Sequence, residues 1–405
     1  MINDFISKIF MKIKNILVYT SYILFYYIFD RRKIITFLSY PQVSDNALAL
    51  YLSLCREHSI GTYTYVWIVT DPIKAKELVK YEKGDIFDTI FVKESNALIA
   101  RYYQLVSILN IDTHGSYKRP RIFKIGYNLC LWHGSPIKKI GRDAGEQGWT
   151  LFADILIASS KYFIPPLSSG LGIDRNKIFI TGQPRNDILI GVLKTKRNFE
   201  DWNKFIIWMP TFAVSRGSPE NGKGYKAKDF NLDIDDFGVI RVAELMELDN
   251  LLDFIDLKII IKLHQYDIRN ELEFSNYKNI KILKWNDARI LGTGLYKALR
   301  DSLALITDLS SVMFDYMLTG KPIGIINIAP DASIRGLAFK LDFNEFRGIN
   351  ISSKDELYCF IKKVALYNSI ENCNNNIIFN KYNDPVELNF SNNIVKILKA
   401  KKVLK

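Results

Sequence analysis

Two series of short apolar runs, separated by polar or amphipathic stretches, constrain this chain more than any other feature. The first series has strand-like runs at 33–39, 63–69, 89–92, 105–111, 128–132, 155–158 and 177–181. Helix-like stretches lie among them at 44–56, 75–81 and 97–105, the first opened by Ser44-Asp45-Asn46, which suits an N-cap. The second series has strand-like runs at 204–208, 257–264, 279–283, 303–307 and 322–328. Its helices are expected at 239–254, 291–301, 311–319 and 354–367, and a basic C-terminal helix at 391–402. Such alternation predicts parallel βα units. At 405 residues, two series predict two doubly wound α/β domains. Polar residues interrupt the pattern near 191–203 and suggest the seam. The expected division is 1–32, 33–195, 196–383 and a basic helix at 384–405.

The charge balance limits the partners. Fifty-five Lys and Arg against 43 Asp and Glu give a net charge of +12. That excess suits a polyanion, an anionic membrane surface or phosphorylated substrates. Cys55, Cys130, Cys359 and Cys373 show no CxxC spacing, so neither a zinc pattern nor a secreted disulfide framework is expected. No metal and no cofactor is expected. Walker, GxGxxG-after-strand and HExxH motifs are missing. The acidic run Asp233, Asp235, Asp236 reads as solvated loop within the polar stretch 213–236.

Residues 16–29 are apolar and aromatic, with Lys12 and Lys14 before them and Arg31, Arg32, Lys33 after. The stretch is shorter than the roughly 20 residues a spanning helix wants. A helix lying on the cytoplasmic leaflet is the reading adopted. A short anchor and a buried core helix are the other readings of the same residues.

Only four histidines occur, and two close strand-like runs: His133 after Asn128-Leu-Cys-Leu-Trp132, and His264 after Leu257-Lys-Ile-Ile-Ile-Lys-Leu263. Ligands of doubly wound folds bind outside the carboxyl ends of strands. One imidazole at such an end in each half suggests a catalytic cleft between two domains. His133 could take a proton at neutral pH. Gly134 permits close backbone approach, and Lys138 and Lys139 add positive charge. The bland alternative is a satisfied histidine beside a turn. In Thr307-Asp308-Leu309-Ser310-Ser311, a run ends and a helix begins, where Ser310 and Ser311 could bind phosphate or one serine could merely cap the helix. In Gly182-Gln-Pro-Arg185-Asn-Asp187, Arg185 suits a phosphate or carboxylate, and Asp187 could hold it in place; a structural link is the alternative. Thr211 follows Met209-Pro210 at another strand end, as ligand contact or plain turn. Asp331, Arg335 and Gly336 follow the last clear strand-like run.

In this order the motifs resemble the CDP-glycerol glycerophosphotransferase family of teichoic-acid and capsule synthesis. The resemblance rests on Trp132-His-Gly-Ser-Pro-Ile-Lys-Lys139, Pro184-Arg-Asn-Asp187, Lys262-Leu-His264, Ile306-Thr-Asp-Leu-Ser-Ser311 with Phe314-Asp-Tyr316, and the Ser44-Asp-Asn46 helix start. It implies a GT-B fold of two Rossmann-like domains, an N-terminal acceptor domain and a C-terminal donor domain, with a membrane-associating N-terminal helix. It implies CDP-glycerol, or a related CDP-polyol, as donor. The acceptor would be a lipid-linked saccharide or a growing polymer, reached from the cytoplasmic face of the membrane, and no nucleic acid is expected. His133 corresponds to the family's proposed base. His264, counted with it as catalytic, and the paired Ser310 and Ser311 are associated with the donor phosphates. Gly134, Lys138, Arg185, Asp187, Thr211 and Asp308 complete the expected donor-binding set. Gln265 and Leu309 stand where the family usually has proline and tyrosine, and the arginine usual just after Pro-Thr-Phe is missing unless Arg216 substitutes. A GT-B glycosyltransferase using a nucleotide sugar is the alternative enzyme; a non-catalytic basic membrane or nucleic-acid binder would leave both strand-end histidines unexplained.

Overall fold

The computed structural model describes residues 16–30, 32–86, 88–115, 126–146, 150–196, 202–211, 236–327, 336–339, 349–367, 381–384 and 387–405. The chain divides into two compact units. One comprises Met1–His133, Phe152–Ile157 and Ser391–Lys405; the other comprises Gly134–Leu151 and Ala158–Phe390.

The first unit is built on the strands β1 (Ile34–Leu38), β2 (Thr64–Val69), β3 (Thr89–Lys93), β4 (Leu109–Asp112), β5 (Tyr127–Cys130) and β6 (Ile155–Ala158). They run in the order β3-β2-β1-β4-β5-β6, and the pairs are parallel. β1 reads Ile-Ile-Thr-Phe-Leu and is buried at every position. A parallel strand covered on both faces needs such a continuous apolar run. Thr36, Asn110 and Asn128 face one another across β1, β4 and β5 in register. The Thr36 hydroxyl donates to the Asn110 carbonyl oxygen, and Asn110 Nδ2 donates to Asn128 Oδ1 at 3.0 Å. A one-residue slip would break this buried chain and turn each strand over. The register of the three central strands is therefore fixed twice, by apolar burial and by polar pairing.

Helices Asp45–Glu57, Pro72–Lys83 and Ala97–Val106 alternate with these strands. The second starts where Asp71 accepts from the N–H groups of Ile73 and Lys74, with Pro72 in the first turn, where its missing N–H costs nothing. The C-terminal helix, Phe390–Ala400, adds Ile394, Val395 and Leu398 as fully buried side chains. Lys399 pairs with Glu57 at 2.6 Å, and the Lys405 N–H donates to the Tyr63 hydroxyl. Residues 16–25 are helical, and Tyr26 enters the core beside Ile34, Leu38 and Val66. Tyr22 and Phe25 meet Tyr102 edge-on. Leu17, Leu24, Tyr27 and Ile28 remain exposed. Among the described residues, no helix is long and apolar enough to cross a membrane.

The second unit carries β7 (Ile178–Ile180) and a parallel sheet of β8 (Phe205–Met209), β9 (Lys258–Lys262), β10 (Ile280–Leu283), β11 (Ala304–Thr307), β12 (Ile323–Ile326) and β13 (Ile349–Ile351). Its order is β10-β9-β8-β11-β12-β13. The sequence marks the run at 322–328 as the last clear strand, but β13 pairs with β12 through Gly324↔Ile349 to Ile326↔Ile351. The helix Ile164–Leu171 was also not expected; it begins with Pro165 and Pro166 in its first turn. The stretch expected to be helical at 239–254 is a short 3-10 turn, Val242–Glu244, leading into Leu245–Phe254. The polar loop expected at 213–236, Arg216, Asp331 and Arg335 lie outside the described residues, save for Asp236.

Strand order reverses in both sheets, between β1 and β4 in the first and between β8 and β11 in the second. Loops leaving the carboxyl ends of such neighbours diverge and leave a crevice where ligands bind.

Candidate active site

In the first unit the loops after β1, β4 and β5 converge at this reversal. Asn46, in the first turn of its helix, donates from Nδ2 to the carbonyls of Leu131 and Trp132, at 3.4 and 3.1 Å. Trp132 has φ of +47°. That conformation is costly for a bulky residue and persists only where surrounding contacts hold it. The strained turn ends β5 and leaves the His133 ring exposed. His133 Nδ1 faces the Thr113 carbonyl at 3.4 Å. A carbonyl only accepts, so this long contact favours the proton on Nδ1, with Nε2 as the acceptor nitrogen.

His114, which the sequence reading passed over, is stacked on His133, with ring centroids 4.6 Å apart and planes inclined by 12°. Its Nδ1 meets the Thr113 hydroxyl at 2.8 Å. Burial and the neighbouring His133 push the His114 imidazole down to about 3, against an upward pull from Asp45. His114 is therefore neutral at physiological pH. The only sequence signal was a histidine two residues beyond a strand end.

In the second unit, Gly134, Arg185, Ser311 and Asp315 come together. A Cβ on Gly134 would lie 2.7 Å from Ser311 Oγ and 3.4 Å from an Arg185 nitrogen, and φ there is +152°. Both the backbone conformation and the close approach demand glycine. Arg185 Nη2 pairs with Asp315 Oδ2 at 2.7 Å, both side chains about 5% exposed or less. Asp315 also accepts from Asn186 Nδ2 at 2.8 Å and from the Tyr296 hydroxyl at 3.2 Å. Asp315 is thus a buried partner of Arg185. Asp187, expected to hold Arg185 in place, accepts the Phe390 backbone N–H at 2.7 Å.

Ser310 and Ser311 are part-exposed between β11 and the short helix Val312–Tyr316. Phe314 anchors the segment against Phe163 and Tyr382, with centroids at 5.1 and 4.7 Å. The Ser311 hydroxyl makes no capping bond to that helix.

Thr211 and Asp308 meet at the ends of β8 and β11. The Thr211 N–H donates to Asp308 Oδ2 at 2.8 Å. Burial pushes the Asp308 carboxyl up; the Thr211 N–H and the charges of Lys138 and Arg269 oppose it. Lys138 sits in a short antiparallel contact with Leu337, closed by Lys139 N–H to the Gly336 carbonyl. Arg269 was not singled out from sequence, yet it joins three segments. It pairs bidentately with Asp267, donates to the Thr211 and Asp236 carbonyls at 2.9 Å, and stacks over Phe237. Two of its partners are backbone carbonyls remote in sequence, which no motif announces.

His264 follows β9 through Leu263. Asn270 Nδ2 donates to its carbonyl at 2.8 Å. Its Nδ1 accepts the Tyr266 N–H at 3.2 Å, which places the ring proton on Nε2. The two strand-end histidines therefore present opposite faces of imidazole chemistry. His133 offers a lone pair at Nε2; His264 offers an N–H there. Among the described residues, no group of His, Cys, Asp and Glu side chains could hold a metal ion.

Two parallel α/β sheets with ligand-type loops at their reversals define a GT-B-like fold. The wall teichoic acid polymerase TagF, in a form soaked with CDPG, superposes over 100% of this chain and 98% of its own with a TM-score of 0.65, at 20% identity. The model of the CDP-Glycerol:Poly(glycerophosphate) glycerophosphotransferase family matches residues 20–399, and the chain belongs to that family. A teichoic acid poly(glycerol phosphate) polymerase of Staphylococcus epidermidis is 28% identical over 294 residues, covering 64% of this chain and 35% of the relative. A teichoic acid glycerol-phosphate transferase of Staphylococcus aureus is 27% identical over 238 residues, covering 51% and 52%. The chain thus spans about half, or less, of the length of these curated relatives.

Proposed function

We propose that this protein transfers glycerol phosphate, or a related polyol phosphate, from a CDP-activated donor to a hydroxyl of a membrane-linked saccharide or growing polymer. The observation that carries the reading is the His133 ring, exposed at the strand reversal with Nδ1 turned to the Thr113 carbonyl. Family membership supports the donor class.

In this mechanism the acceptor oxygen attacks the β-phosphorus of the donor. The hydroxyl proton passes to His133 Nε2. The bond from the β-phosphorus to the bridging oxygen breaks, and CMP leaves with that oxygen. Such transfers depend on positioning and on stabilising charge at the phosphoryl oxygens. The His264 Nε2–H and the Ser310 and Ser311 hydroxyls supply donors for those oxygens, and Lys138 supplies charge. Gly134 leaves room for the Ser311 hydroxyl. Arg185 and Asp187 hold the segment around it, while Thr211 and Asp308 tie the ends of β8 and β11. The test is a donor panel with purified protein, scored by nucleotide release. CMP release from CDP-glycerol or CDP-ribitol in the presence of acceptor is expected; release from UDP- or CMP-sugars alone would instead make the enzyme a glycosyltransferase.

The same reading places the protein peripherally at the cytoplasmic face of the membrane. Support comes from Leu17, Leu24, Tyr27 and Ile28, exposed on a helix flanked by basic residues. Apolar side chains on an interfacial helix add affinity with buried area, and lysines add attraction to anionic lipid. Removing residues 1–30 is expected to reduce co-sedimentation with anionic vesicles at least about tenfold, the loss of roughly two buried side chains. Unchanged sedimentation would refute the membrane role.

A further inference from the structure

We propose that His114 is a positioning residue that holds the His133 imidazole in the plane and tautomer that proton abstraction needs. The inference rests on the reading of His133 as base, and it goes beyond it.

The geometry is specific. One residue, Thr113, touches both rings: its carbonyl faces His133 Nδ1, and its hydroxyl meets His114 Nδ1. The two imidazoles lie nearly parallel at 4.6 Å. Tyr40 closes on His114 edge-on at 5.5 Å, and its backbone N–H meets the Thr113 hydroxyl at 3.4 Å. The Tyr40 hydroxyl is held by Glu94 at 2.9 Å. His114 is thus clamped from the loop after β1 and from its own strand end, and it presents a flat face to an exposed ring.

Trp132 also lies against the His133 ring, 4.3 Å away and tilted by 35°, so His114 supplies the parallel face. An exposed imidazole turns about two side-chain bonds, and the 3.4 Å contact to Thr113 is long for a hydrogen bond. Alone it would set the tautomer weakly. Stacking on a clamped ring restricts the rotation without competing for the proton. The groups that face His114 are His133, Asp45, Thr113 and Tyr40. Of these only Asp45 favours a charge on His114, and burial outweighs it. A neutral neighbour leaves His133 able to become imidazolium when it takes the substrate proton; a charged one would oppose that step.

The test compares His114→Ala, His114→Phe and His133→Ala in the full-length protein, with CDP-glycerol as donor. His114→Ala is expected to lower kcat by about 10- to 100-fold with the donor KM within about twofold, since a misplacement near 1 Å can cost about 10². His114→Phe keeps a flat ring and is expected to recover kcat to within about threefold of wild type. If His114→Ala stays within about twofold in kcat, the proposal is overturned. If His114→Phe falls as far as His133→Ala, His114 does chemistry of its own and the proposal is likewise overturned. A second readout needs no turnover. Imidazole nitrogen NMR should report the Nδ1–H tautomer for His133 in the wild type and a mixture in His114→Ala; an unchanged tautomer overturns positioning. Should His133→Ala itself retain turnover, the base assignment fails, and the NMR result still decides the role of His114.

Discussion

His133→Ala is expected to lower kcat by about 10² to 10⁴, the usual contribution of one general base. At about 1.4 kcal/mol per factor of ten, that is about 3–6 kcal/mol of lost transition-state stabilisation. The loss should appear in kcat and in kcat/KM together, because the proton moves only in the transition state. Stability should hold, since the residue is exposed and its contact with the Thr113 carbonyl is long, at 3.4 Å. His133→Ala with an unmoved melting point and near wild-type CMP release would remove the base from the mechanism.

Asp315→Ala is expected to have the largest effect on stability. The carboxylate has about 4% of its side chain exposed, and it neutralises a guanidinium equally deep. Removing one member of such a pair leaves the other charged and dry, which costs about 3–5 kcal/mol. Asn186 and Tyr296 lose their acceptor in the same step. Whole domains are stable by only about 5–15 kcal/mol. At about 2–4 °C per kcal/mol for a unit of this size, the melting point should fall on the order of 10 °C. Asp315→Asn keeps an acceptor oxygen and the volume, so it should fall less. Turnover in Asp315→Ala should drop too, because Arg185 is what stands beside Gly134 and Ser311. A melting point within 2 °C of wild type would show that Arg185 finds another partner, and the pair would lose its assigned role.

The strands were legible because parallel sheets demand unbroken apolar runs, and Ile34–Leu38 or Lys258–Lys262 can be read as little else. β13 was not, because three residues with Asn350 exposed in the middle carry no periodic signal. The helix Ile164–Leu171 was hidden by its own prolines, which break a helix interior but are accommodated in a first turn. Strand ends named His133, His264, Thr211 and Asp308 as candidates, since position alone marks them. Asp315 stood in a quoted motif, yet nothing local joins it to Arg185, 130 residues earlier. Arg269 and His114 matter through carbonyls and ring faces supplied by distant loops, and such partners exist only after folding.

The first unit opens with strand residues in the thirties and is completed by residues 391–405. Lys399 and Lys405 reach back to Glu57 and Tyr63 across 342 positions of sequence. A ribosome adds about 5–20 residues each second, so the sheet precedes the last segment of its own unit by on the order of tens of seconds. The second unit's own residues run to Phe390, so both units are completed in the same last stretch of synthesis. The oldest part of this polypeptide therefore depends on its newest, and a chain cut near residue 385 would leave the first unit without its last segment.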